Sequence, residues 1–73
     1  MAKLPVISGA RAVKAFQQAG WHVARQRGSH VILPKPGHIA SLSIPSIENL
    51  PPGTLRSLLR ASGLTLEEFT DLL

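Results

Sequence analysis

Apolar positions along this chain follow two different rhythms. From Ser8 to Gly20 they recur at helical spacing, with Val13, Phe16 and Ala12 or Ala19 on one stripe and Arg11, Lys14, Gln17 and Gln18 mostly opposite. Ser8 is a candidate N-cap, because its hydroxyl can accept from a free first-turn N–H, and Gly20 is a candidate C′ residue. The spacing predicts a first helix over residues 9–19. A second helix opens at Pro52-Gly53, where proline's missing N–H would be unbonded in any case. Leu55, Leu58 and Leu59 form its stripe and Gly63 its end. Thr65-Leu66-Glu67-Glu68 is a capping-box pattern. It predicts a short third helix burying Leu66, Phe69 and Leu72 or Leu73.

Between the helices the rhythm changes to strands. Residues 21–27 read as a strand, Gly28-Ser29 as a turn and residues 30–33 as a second strand. Pro34-Lys35-Pro36-Gly37 is a strong turn signal. Residues 38–44 predict a third strand, with Ala40, Leu42 and Ile44 on one face and Ser41 and Ser43 on the other; 45–51 form a loop. The order is α-β-β-β-α with a short C-terminal helix. It predicts an α+β fold over residues 1–73, a three-stranded antiparallel sheet with both main helices on one face. That is the order of double-stranded-RNA-binding domains, and fold alone leaves function open.

If Gly28-Ser29 is a two-residue hairpin turn, Arg27 faces His30 and Arg25 faces Ile32 on the same side of the sheet. Ala24, Val31 and Leu33 then point toward the helices. Trp21, Val23 and Ile32 join the two arginines and His30 on the open face, an apolar platform for bases or a partner. A one-residue slip would reverse these faces.

Composition narrows the classes. With 73 residues and 44% apolar content, the chain supports one small core. It has no cysteine, which excludes disulfides and thiolate metal sites. No apolar run reaches membrane-spanning length. The apolar stretch at the N-terminus is too short for a signal peptide, so the expected location is cytoplasmic. All eight Lys and Arg lie in residues 1–60, where Glu48 is the one acid; residues 61–73 hold Glu67, Glu68 and Asp71 and no base. A basic body with an acidic tail points to a polyanion partner such as nucleic acid, or else to a charge that serves solubility alone.

The chemistry-bearing stretch is Arg25-Gln26-Arg27-Gly28-Ser29-His30. Histidine takes and gives protons near neutral pH, and arginine holds phosphate with a fixed fork of donors. RNA carries its own nucleophile, the 2′-OH. Cutting it requires a base for that proton, donors for the crowded phosphate and an acid for the leaving 5′ oxygen. His30 suits either proton role. Arg25, Arg27, Lys35 and the backbone N–H groups of Gly28-Ser29 suit the phosphate. One histidine does not obviously fill both proton roles, and His22 and His38 are second candidates by residue type only. Against this stands a plainer reading, in which His30 is a structural strand residue, Gly28-Ser29 only a turn and the arginines a solvated face. A metal site built from His22, His30 and His38 is rejected, since no acidic or thiol ligand sits nearby.

Gly20-Trp21, Gly28-Ser29-His30, the run Pro52-Gly53-Thr54-Leu55-Arg56-Ser57-Leu58-Leu59-Arg60 and the stretch Gly63-Leu64-Thr65-Leu66-Glu67-Glu68-Phe69 occur in one order along nearly the whole chain. As an ordered set they resemble the HicA (YcfA-like) toxin family. The resemblance implies a double-stranded-RNA-binding-domain-like fold, metal-independent endoribonuclease activity on mRNA without a cofactor, and neutralisation by a HicB-like antitoxin protein. It also implies that His30, in the Gly-Ser-His motif, is the catalytic histidine. Many relatives carry another histidine shortly after the third-strand proline; here Pro45-Ser46-Ile47-Glu48-Asn49-Leu50 has none. The alternative function is a non-catalytic RNA-binding module of the same fold, and a third is a protein-interaction subunit with no RNA role.

Overall fold

The computed structural model describes residues 3–73. Its elements are α1 (Gly9–Gln18), β1 (Arg25–Arg27), β2 (His30–Leu33), β3 (Leu42–Pro45), α2 (Pro52–Ser62) and α3 (Leu66–Thr70). Local chemistry accounts for the helix ends. Ser8 Oγ accepts from the Arg11 N–H at 3.1 Å. Pro sits in the first turn of α2, and Gly63 closes that helix in the left-handed region. Thr65 Oγ1 accepts from the Glu68 N–H while Glu68 Oε1 accepts from the Thr65 N–H, so the capping box is complete.

The strands form one antiparallel sheet in the order β1-β2-β3. Both main helices pack on one side of it, against β3. The inward sheet residues Leu33, Leu42 and Ile44 are buried with Phe16 of α1, Leu55 of α2 and Phe69 of α3. Each fully buried side chain of this size stabilises the fold by roughly 1.5–3 kcal/mol before conformational entropy is counted. The Phe16 and Phe69 rings lie 4.9 Å apart at 40°. This contact fixes the short α3 to α1. Leu66 and Leu72 are half-buried and Leu73 is exposed, so Phe69 is the anchor of α3.

The third strand is shorter than its alternation predicts, Leu42–Pro45 instead of residues 38–44. Leu33 pairs with Leu42. Extending that register would set residues 38–41 against Pro34-Lys35-Pro36-Gly37, where the two prolines have no N–H to donate. Ala40 is accordingly exposed, whereas Leu42 and Ile44 face inward as expected.

The first strand departs more informatively. Its regular part is Arg25–Arg27 rather than residues 21–27. Arg25 pairs with Ile32 in the ladder. Yet the Ala24 N–H also donates to the Ile32 carbonyl, and His22 N–H to Pro34. Two successive residues therefore oppose Ile32, which is a β-bulge. The extra residue shifts the alternation by one. Trp21 is consequently in the core at 2% exposure. Val23 lines a groove on the helix side beside Val13 and Val31. Of the expected apolar platform only Ile32 stays on the open face, and Ala24, expected inside, is exposed.

Candidate active site

The open side of the sheet is built from the hairpin turn outward. Gly28 has φ 59°, and no other residue type among those described has positive φ. Glycine first and an ordinary residue second is the arrangement of a two-residue II′ turn. This turn fixes the register Arg27↔His30 and Arg25↔Ile32. In β3 the rows continue as His30↔Pro45 and Ile32↔Ser43. Two parallel rows result, Arg27–His30–Pro45 and Arg25–Ile32–Ser43. Directly opposed side chains have Cβ atoms roughly 4.5–5.5 Å apart. Arg25, Arg27 and His30 are all exposed. Their cross-strand neighbours include no carboxylate. An anion approaching this face would meet both guanidinium charges.

Three further contacts hold the turn. Gln26 Nε2 donates to the Gly28 carbonyl at 3.1 Å. The Ser46 N–H donates to the Ser29 carbonyl at 2.6 Å, and the Gly9 N–H to the Ile47 carbonyl at 2.8 Å. A Cβ on Gly9 would run into the Pro45 carbonyl oxygen. The start of α1 thus presses on the end of β3, which in turn is fastened to the hairpin tip. Gln26, Ser46 and Gly9 carry no recognisable motif, and only the bare glycine at a helix start hinted at a close approach.

The other expected site residues lie elsewhere. Bulge parity puts His22 on the open side, but it is opposite Pro34, about 13 Å along the strand from His30 at 3.3 Å per residue. The His38 ring stacks on Trp21 with centroids 4.8 Å apart. Lys35 is half-buried, with Nζ 5.7 Å from the centre of the same indole. Its stem lies over the backbone of Gly20. Lys35 and His38 therefore belong to a cluster around Trp21 at the far end of the hairpin from His30. Among the described residues no three His, Asp or Glu side chains gather as a metal-binding group. No helix among them is long and apolar enough to cross a membrane.

The fold and its open face define a small α+β protein with a histidine directly across from an arginine at the tip of a hairpin. The family model described as the HicA toxin of bacterial toxin-antitoxin systems matches residues 9–64. The chain belongs to that family. It is similar in structure to a chain of a toxin-antitoxin complex from Streptococcus pneumoniae, with TM-score 0.72 and 29% identity, covering 80% of this chain and 98% of that one. A search of curated proteins finds no match.

Proposed function

We propose that this chain is an endoribonuclease toxin that cuts mRNA without a metal, and that an antitoxin protein of the HicB kind binds and restrains it. The observation that carries the reading is the placement of Arg27 directly across from His30 on the open face. His30 takes the 2′-OH proton or delivers one to the leaving oxygen. The 2′ oxygen attacks phosphorus, the bond to the 5′ oxygen breaks, and a 2′,3′-cyclic phosphate and a 5′-hydroxyl end result. Arg27, Arg25 and the N–H groups at Gly28-Ser29 hold the phosphate as charge gathers on it. Family membership supports a toxin that works against an antitoxin, and the S. pneumoniae neighbour was solved in such a complex.

Purified protein is incubated with a long single-stranded RNA in EDTA, wild type beside His30→Ala, with both shown to be folded. Cleavage by wild type alone supports the proposal. Equal cleavage by both sinks the role of His30.

One observation favours a second reading, a non-catalytic RNA-binding module: neither His22 nor His38 lies beside His30 to share the proton transfers. That reading expects RNA to be bound by both proteins and cut by neither.

A further inference from the structure

On the helical layer, away from the open face, a groove of about 770 Å³ runs between the N-terminal segment, α2 and α3. Leu4, Leu59 and Leu66 give it an apolar floor, and Lys3, Arg56 and Arg60 flank it. Arg56 and Arg60 stand one turn apart on α2 and are exposed, as is Lys3. Among the described residues no carboxylate lines the groove. None of the side-chain hydrogen bonds among the described residues engages the three cations.

We infer that this groove is a docking site for an acidic, leucine-rich segment of a partner protein. Charge complementarity selects the acidic character, because three cations flank one cleft and no carboxylate is among its described lining residues. The apolar floor selects protein over nucleic acid. Phosphates would use the cations and leave Leu4 and Leu66 wet, whereas an amphipathic segment covers the leucines and meets the cations with its rim. The site is separate from His30, which lies on the other side of the sheet, so a segment bound here leaves the hairpin tip uncovered. The inference does not depend on His30 being catalytic.

The test uses the full chain, methyl-labelled for NMR, and a helical peptide composed of Glu and Leu. The expected result is saturable binding that shifts the methyl signals of Leu4, Leu59 and Leu66. Arg56→Glu with Arg60→Glu weakens the affinity at least about tenfold, the scale of one or two lost surface ion pairs with added repulsion. These exposed residues are reversed without loss of fold, which a melting curve confirms, and Lys3→Glu repeats the test from outside α2. RNA cleavage stays at the wild-type level. Absence of peptide binding overturns the proposal, as does binding indifferent to charge reversal. Equal binding of a Glu-Ser peptide reduces the groove to a general polyanion site and overturns it too. So does displacement of the peptide by an RNA oligonucleotide that shifts the same methyl signals.

Discussion

The Ser46 N–H donates to the Ser29 carbonyl at 2.6 Å, so the residue that follows β3 is fastened to the turn that presents His30. The bond uses backbone atoms on both sides. Ser46→Ala should leave activity unchanged, while Ser46→Pro removes the donor and frees the turn. Loss of one such bond costs about 1 kcal/mol of stability. Cleavage is expected to fall more than the melting temperature would suggest. Equal activity of both variants, measured at a temperature where both are folded, would show that the brace is not needed.

The two arginines should separate by role. Arg27 stands beside His30, one row nearer the turn than Arg25. Arg27→Ala is expected to lower kcat by roughly a hundredfold to a thousandfold, as loss of a transition-state donor does. Arg25→Ala should act mainly on RNA affinity and reduce the slope of log affinity against log salt by about one. Single-turnover cleavage and binding titrations at several salt concentrations measure both. Matching effects from the two variants would remove the distinction.

Lys35 is expected to matter for stability more than for RNA. Its ammonium lies over the Trp21 ring. Lys35→Met keeps the apolar stem and removes the charge, which should cost about 0.5–1 kcal/mol by chemical denaturation. RNA affinity should change little. A salt slope reduced as far as that of Arg25→Ala would place Lys35 among the phosphate contacts instead.

Gly9→Ala should be the most damaging of the small substitutions. The added methyl meets the carbonyl of Pro45, a backbone atom that cannot turn aside. Forced repacking of this kind costs about 1–3 kcal/mol. The start of α1 and the end of β3 should move apart, weakening the Gly9–Ile47 bond. Denaturant melts read the cost, and amide exchange at Gly9 reads the place. An unchanged melt would mean that the contact is softer than its geometry implies.

Thr65→Ala breaks one half of the capping box and should cost about 1 kcal/mol. Because α3 is anchored chiefly through Phe69 against Phe16, the effect should appear as faster amide exchange in residues 66–70 with the sheet amides unchanged. Uniformly faster exchange would show that α3 does not open on its own.

Much of this arrangement was legible from residue chemistry. Gly28-Ser29 set the register of the first hairpin, and with it the pairing of Arg27 and His30. Ser8, Pro52, Gly63 and the Thr65–Glu68 pair marked the helix ends, because each meets a local backbone need. The bulge was less visible. Ala24 has no turn chemistry, and the bulge depends on how the strand pairs rather than on its own side chains. Its trace was a conflict of parity: Trp21 and Val23 share odd positions with Arg25 and Arg27, yet the first two are apolar and the last two charged. The true length of β3 was hidden for a similar reason. Alternation in residues 38–44 says what a strand would look like, while the prolines across from it decide whether one can pair.

The bulge has a consequence for how copies of this chain meet one another. β1 lies at one edge of the sheet, and edges offer unpaired N–H and C=O groups to any strand that comes alongside. Here the offer is poor. The regular edge is only Arg-Gln-Arg. The extra residue next to it breaks the spacing that a second strand would need to match, and a second copy would bring the same two positive charges against these two. At the opposite edge β3 ends on a proline with no N–H. Both margins thus oppose growth of the sheet by stacking of like molecules.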